Sequence, residues 1–419
     1  MAQVADQAVS IRERTGCFLC GGSLDSVLDL GNHYLTDFLD APNPNHPKAP
    51  LELMACYKCG ICMLRHVVSR DALFRTYWYR SGVNSTVVAH LKTLAERATE
   101  AAHLQIGDIV VDIGCNDGTL LSMFEPSYEL LGFEPALNMR REEMAAGHYI
   151  FIQDYFSARG YNDWRAQRAK LVLSIAMFYD LGNPRQFVQD IHNILHPDGG
   201  WVVEMNYLGF MIEKTAYDFM GHEHVTMYFV SGFLKLIQQF GLDLEHVEFN
   251  DLNGGSVRLF VMHKGARPVH PSVQQALDGE AKYRSPAALQ GFASKARTHI
   301  HGLASWILEL SRILELQANH RPLYAYGAST RGMTTLQAIG ATNLSVQKAV
   351  DKNPEKIGRY MAGLNIPIIG EEEFRANPPA YLLVLPWGFI EEFREREKEY
   401  LNKGGRMIVP MPTPRLILR

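Results

Sequence analysis

From about residue 70 onward the apolar and polar positions settle into a mixed α/β pattern. Residues 86–101 place Val87, Leu91 and Leu94 on one face, which predicts an amphipathic helix. Short β-rich runs then alternate with helical stretches, at 109–112, 128–134, 149–152, 171–174 and 200–204. That alternation predicts a largely parallel sheet covered on both faces. Residues 246–249 give a weaker strand signal, and 256–262 a clear one that closes this unit.

A loop-like stretch at 265–271 marks a break. Ser285-Pro286 then offers an N-cap with proline in the first helical position. Leu289, Phe292, Ala296, Ile300, Leu303, Ile307, Leu310 and Leu314 recur at intervals of three and four, so a long amphipathic helix is expected. A second strand, glycine turn and helix follow at 322–332, with further strands at 346–351, 381–385 and 406–409. The expected organisation is three-part: residues 1–70, 71–265 and 266–419, the last a smaller α/β domain led by the long helix. At ~150 residues per domain, 419 residues suit two or three domains.

Composition narrows the function class. Hydrophobic residues make up 47% and charged residues 21%, the mix of a soluble globular chain. The net charge of −4 argues against a protein built to grip nucleic acid, which needs a basic face. No apolar run approaches the ~18 residues of a membrane span. The first residues lack the apolar core of a secretory leader, so a cytoplasmic location is expected.

Five of the six cysteines fall within the first 62 residues. Cys17-x-x-Cys20 and Cys56-x-x-Cys59 form two knuckles, whose four thiolates suit a tetrahedral, structural Zn²⁺. Glycine directly after Cys20 and Cys59 allows tight turns that aim N–H groups at sulfur. Cys62 offers a competing knuckle with Cys59; the pair Cys56 and Cys59 is preferred because it repeats the glycine of the first knuckle.

The most specific internal signal is Val110-Val-Asp112-Ile-Gly114-Cys-Asn116-Asp-Gly118. A strand ends on an acid and runs into a glycine turn expected to open a helix. Glu134 ends the next strand, 22 residues after Asp112, where a Rossmann-like unit binds ribose hydroxyls. An acid before the glycine repels a pyrophosphate and pairs with an amino group. S-adenosylmethionine therefore fits better than NAD. Asp154, just past the third strand, is placed to address an adenine amino group. His222-Glu223-His224 closes an apolar, aromatic stretch, and three ionisable groups there are unusual. Neutral imidazole is available near neutral pH.

The two knuckles, the D-I-G-C-N-D-G loop, H-E-H and a late Y-G-A-S-T-R-G occur in that order. The chain resembles the sugar C-methyltransferases that act on nucleotide-linked ketosugars, over about residues 15–415. The resemblance implies a class I methyltransferase domain of Rossmann-like fold between a zinc segment and a Rossmann-like C-terminal domain. It implies methyl transfer from S-adenosylmethionine to C-3 of a nucleotide-linked 4-keto-6-deoxysugar. Its Glu-His pair maps to Glu223 and His224, with His224 as base. Its Tyr-x-Tyr-x-Ser stretch maps to Tyr77, Tyr79 and Ser81.

Two departures stand out: Gly221 replaces the tyrosine two places before the glutamate, and Asp180 replaces a histidine after the fourth strand. Tyr179 or His222 is expected to compensate. Asn206, Ser329 and Arg331 are expected at the substrate, the last two on a glycine turn suited to a diphosphate. Asp351, 24 residues beyond Gly327, is placed to meet a ribose. Three alternatives stay open: an epimerase or isomerase using the same enolate, methylation of a non-sugar carbon acid, and a non-catalytic binding partner.

Overall fold

Every position of Ile109–Ile113 is buried, as a strand sandwiched between two helical layers requires. The computed structural model describes residues 9–139, 148–316 and 322–418; residues 1–8, where the reading of a leader begins, lie outside the described residues. Ile109–Ile113 is an interior strand of a seven-stranded sheet. From one edge the order is Tyr149–Ile152, Glu129–Phe133, Ile109–Ile113, Ala169–Ile175, Leu195–Asn206, Ser256–His263 and Leu242–Asn250. The first five strands are parallel, and the last two are antiparallel to their neighbours. Chain order reverses between Ile109–Ile113 and Ala169–Ile175, so a crevice opens there at the carboxyl ends of the strands.

The helix Ser85–Ala102 covers one face, with Asn84 Oδ1 accepting from the N–H groups of Thr86 and Val87. The helix expected after Gly118 does not form. Only a 3-10 turn, Leu121–Met123, follows the loop. Pro126 disfavours helical backbone at Glu125, and Phe124 is already extended, so the chain reverses straight into Glu129–Phe133. The loop-like stretch at 265–271 leads instead into a helix, Pro271–Gly279, with proline at its start.

Besides a two-stranded pair of Ile11–Glu13 with His66–Val68, two further sheets each contain a strand from a distant part of the chain. The knuckle segment builds an antiparallel sheet from Asp25–Tyr34, Lys48–Cys56 and Ile61–Leu64, and its fourth strand is Thr226–Tyr228, directly beyond His224-Val225. Leu64 N–H donates to the Val225 carbonyl at 3.0 Å. The C-terminal sheet has eight strands, and its outermost member is Phe38–Leu39. The helix Pro286–Leu316 buries the eight apolar residues expected of it, and Ser285 Oγ accepts from Ala288 N–H at its start. One apolar core runs from Cys17 to Met411 through all three sequence segments.

The four expected thiols converge, with their sulfurs within 4.8 Å of one another. Cys20 and Cys56 sulfurs are 3.7 Å apart, close to the ~3.8 Å edge of a tetrahedron with ~2.3 Å Zn–S bonds. Gly22 N–H points at Cys20 Sγ at 3.4 Å. Cys62 is turned away, buried in the strand Ile61–Leu64. The residues fit a closed structural zinc site. Gly232 shows how tightly the site is backed: a Cβ there would lie 2.4 Å from the Gly60 carbonyl oxygen, so the helix Val230–Gln238 rests on the second knuckle.

Because the knuckle sheet includes Thr226–Tyr228, stripping zinc with a chelator is expected to raise hydrogen exchange at residues 225–228. Amides of Ile109–Ile113 should stay protected. Exchange at 225–228 that ignores the metal would contradict the coupling.

Candidate active site

At the carboxyl ends of the central strands lies a cavity of about 850 Å³. Its floor is the loop that follows Ile109–Ile113. Gly114 takes a left-handed φ of +74°, and a Cβ would press on Met177 at 3.2 Å. Asn116, also left-handed, donates its N–H to Glu134 Oε2 at 2.9 Å, and Ala136 N–H donates to Oε1 at 2.8 Å. Asn116 also holds a strap over the cavity. Its Nδ2 donates to the Tyr79 carbonyl at 2.9 Å and its Oδ1 accepts from Ser81 N–H at 3.0 Å. The strap is pinned further by Trp78 Nε1 to Asp37, Asn353 Nδ2 to the Trp78 carbonyl, and Arg80 to Glu355. Tyr77, Tyr79 and Ser81 all face the cavity.

Burial dominates the electrostatics here. It raises Asp112 to about 8, with Glu134 adding to the effect. It raises Glu134 to about 7, against two N–H bonds that favour the anion. A desolvated acid pair whose shifts no cation among the described residues offsets suits a ligand that carries positive charge. S-adenosylmethionine brings an ammonium and a sulfonium, and the two acids, Gly114, Asn116 and Ser81 are placed to hold it.

Across the cavity stands His224, 7% exposed. Its Nδ1 lies 2.7 Å from the Phe219 carbonyl oxygen, which can only accept, so Nδ1 carries the proton. Nε2 is left with its lone pair. Phe219 stacks on the imidazole at 4.3 Å and 22°, and Tyr179 meets it edge-on at 4.7 Å. Burial pushes His224 down to about 4, and Arg331 adds to the shift, so the ring is neutral at ordinary pH. Asp180 lines the same wall, and its Oδ1 is buried with no hydrogen-bond partner among the described residues. Burial, then Glu223, raises Asp180 well above the usual carboxylate range. Glu223 itself is pushed up to about 7 by burial.

The cavity wall thus gathers Asp112, Gly114, Asn116, Glu134, Ser81, Tyr79, Tyr179, Asp180, His224, Asn206, Ser329 and Arg331. Four expected residues are elsewhere. His222 bonds the Ala49 carbonyl at 3.0 Å, inside the knuckle sheet, because the chain turns at Gly221–His224, with His224 N–H donating to the Gly221 carbonyl, and so the two imidazoles part. Glu223 is buried behind the wall. Gly118 shapes the loop from outside, with its N–H on the Cys115 carbonyl. Asp154 points to solvent toward Arg75; Tyr155 and Phe156 take the wall beside it. Two further expectations shift. Both Asp351 oxygens are occupied, by the N–H groups of Ala328 and Asn353, so its carboxylate braces the glycine turn. Arg331, expected as a free cation, is bound to Asp218 and the Asn253 carbonyl.

The sequence reading missed the wall contributed by Trp387 and Phe389. Trp387 follows the strand Tyr381–Val384, and the carboxyl ends of parallel strands are where such residues gather. No helix among the described residues is long and apolar enough to cross a membrane.

Three family profiles match in succession: "Putative zinc binding domain" over residues 17–74, "Methyltransferase domain" over 86–247 and "C-methyltransferase C-terminal domain" over 251–412. The chain is 29% identical over 377 residues to C-methyltransferase NovU of Streptomyces niveus, covering 88% of this chain and 87% of that one. Among solved structures it is similar to an S-adenosylmethionine-dependent methyltransferase from Clostridium acetobutylicum, at 10% identity and TM-score 0.34, over 42% of this chain and 92% of that one. It is also similar to CalO1, a methyltransferase in calicheamicin biosynthesis, at 13% identity and TM-score 0.33, over 42% and 54%.

Two outcomes follow for the acid pair. Asp112 and Glu134 titrate at about 8 and about 7 when folded, above their unfolded values. The folded protein therefore keeps protons that the unfolded chain has lost, so their contribution to stability falls as pH rises above the unfolded values of 3.8 and 4.5 and is lost once pH passes about 8. A bound cation favours the ionised acids, so S-adenosylmethionine binding near neutral pH should release protons and tighten as pH rises. Calorimetry in two buffers of different ionisation enthalpy reads this, and buffer-independent heats would contradict it. Glu134→Gln should weaken S-adenosylmethionine binding on the order of 10- to 100-fold, through loss of charge-assisted hydrogen bonds. Unchanged affinity would remove Glu134 from the cofactor site.

Proposed function

Because the chain belongs to the S-adenosylmethionine-dependent C-methyltransferases with an N-terminal zinc-binding segment, we propose that it methylates C-3 of a nucleotide-linked 4-keto-deoxysugar. The setting is deoxysugar or natural-product biosynthesis, in the cytoplasm. The observation that carries this reading is the His224 imidazole, its Nδ1–H spent on the Phe219 carbonyl, set across one cavity from Asp112 and Glu134.

A carbon nucleophile has to be made before a methyl can be received. The C–H beside a ketone is acidic enough to be removed by a positioned base, and His224 Nε2 takes that proton. The C–H electron pair then moves into the carbonyl, leaving an enolate with its charge on oxygen. Groups that donate toward that oxygen stabilise it. Asp180, whose protonated form burial and Glu223 favour, is one such donor, and the Tyr77 and Tyr179 hydroxyls are others. Asp180 thereby stands in for the histidine expected at its position. When bound, S-adenosylmethionine supplies an electrophilic methyl. The strap from Tyr77 to Ser81 excludes water from the enolate.

The C-terminal unit supports the nucleotide part of the reading. Gly327 takes a φ of +86°, and a Cβ there would strike Pro386 at 2.5 Å. Ser329 caps the helix Thr330–Ala338, whose free N–H groups face the cavity as a seat for a diphosphate. Asn206 lies nearby, its Nδ2 on the Asn253 carbonyl at 3.1 Å.

Incubation with S-adenosylmethionine and a panel of nucleotide-linked 4-ketosugars should add the mass of one methyl to at least one member. His224→Gln should lower kcat about 10²- to 10⁴-fold with cofactor affinity retained. A full rate in that variant would remove His224 as base. Deuterium entering C-3 without any gain in mass would make the chain an epimerase or isomerase.

A further inference from the structure

The helix Thr330–Ala338 reaches the segment that carries His224. Arg331 Nε donates to Asp218 Oδ2 at 3.0 Å, and its Nη2 lies 2.8 Å from the same oxygen. Nη1 donates to the Asn253 carbonyl. Trp387 Nε1 donates to Asp218 Oδ2 at 2.9 Å. Asp218 is 1% exposed, so its charge is poorly screened and depends on these partners. The guanidinium also sits 5.6 Å from the Phe219 ring centre and 5.5 Å from that of Trp387, within cation–π range. One turn further along, Thr334 Oγ1 donates to the Met220 carbonyl at 3.0 Å. Phe219 is therefore gripped through the residue on either side of it. Phe219 in turn holds the imidazole twice, by its carbonyl and by its ring.

We propose that Arg331 is a positioning residue: by fixing Asp218 it keeps the Phe219 carbonyl and ring against His224, which locks the imidazole as the Nδ1–H tautomer with Nε2 free for the substrate. Arg331 lines the cavity, but to serve as the diphosphate's cation its guanidinium would have to turn from these partners. Here three of its nitrogens are already engaged. The contacts cross from the C-terminal unit to the reacting centre, so a shift of that unit is felt at the base. This inference rests on His224 being the base, and its test reads the imidazole itself.

The full-length protein is labelled with ¹⁵N-histidine, and the His224 signals are assigned by their loss in His224→Gln. The wild type should show the Nδ1–H tautomer. Arg331→Ala and Asp218→Asn should each convert it to a mixture, and Arg331→Lys should restore part of it. The double variant should be no worse than either single, because both cut one linkage. In turnover, both single variants should lose kcat on the order of 100-fold, the cost of a base displaced by about 1 Å, with KM for the sugar nucleotide little changed. Retained S-adenosylmethionine binding checks that each variant folds. Asp218→Asn, which removes no cation, gives a second reading should Arg331→Ala fail to fold. An unchanged tautomer in Arg331→Ala, together with loss of thermal stabilisation by inorganic pyrophosphate, would make Arg331 an anion ligand and overturn the proposal. A full rate in His224→Gln would sink the base assignment alone, and the tautomer measurement would still decide the part played by Arg331.

Discussion

A single hydrogen bond, from His224 Nδ1 to the Phe219 carbonyl at 2.7 Å, decides what the reacting centre can do. Imidazole has two nitrogens, and the neutral ring is useful as a base only where the free lone pair faces the substrate. A carbonyl cannot donate, so this contact fixes the tautomer without a charged partner. Serine hydrolases use a carboxylate for that task and so hold charge beside the ring. Here the ring stays neutral, pressed between Phe219 and Tyr179 and kept dry. Dryness sharpens every electrostatic contact in the cavity and lowers the basicity of the imidazole at the same time.

That hydrogen bond is held from two directions by parts of the chain far apart in sequence. On one side, Thr226–Tyr228 is a strand of the knuckle sheet, so four thiols more than 160 residues upstream anchor the peptide just beyond His224. A closed Cys₄ site has no open position for chemistry. Its role is mechanical, since it helps fix where the loop that carries His224 leaves for the core. On the other side, the first turn of Thr330–Ala338 grips Asp218 and Met220. Asp112 lies on Ile109–Ile113 and Glu134 directly follows Glu129–Phe133, so both acids are carried by the seven-stranded sheet. Asp112, Glu134 and His224 thus share the middle segment of the chain and one cavity, while both anchors of the His224 loop come from the segments on either side.

Much of this was legible in the chain. The spacing of the knuckles foretold the thiol cluster: each C-x-x-C turn pairs its own sulfurs locally, and the pairing of Asp25–Tyr34 with Lys48–Cys56 brings the two knuckles together. Leu289 to Leu314 foretold the long helix, because its apolar stripe is a property of one element. Asp112 and Glu134 were readable for the same reason: each ends a strand, and parallel neighbours put their ends side by side. What stayed hidden depends on contacts between distant elements. The Phe219 carbonyl carries no sequence signature, since any residue has one. Arg331 reads as a phosphate ligand until Asp218, 113 positions earlier, is seen beside it. His222 and His224 look equivalent in H-E-H, and only the turn at Gly221–His224 sends one to the knuckle sheet and the other to the cavity. The missing helix after Gly118 follows from one proline whose effect the glycine pattern masks.

The most direct test of base-assisted enolate formation separates it from methyl transfer. A nucleotide-linked 4-ketosugar accepted by the enzyme is held in D₂O with S-adenosylhomocysteine, which has no methyl to give, and the C-3 proton is followed by NMR. The wild type should exchange that proton for deuterium while His224→Gln leaves it in place. Equal exchange by the two proteins, or none by the wild type under conditions where it methylates, would contradict the assignment of His224 as the base.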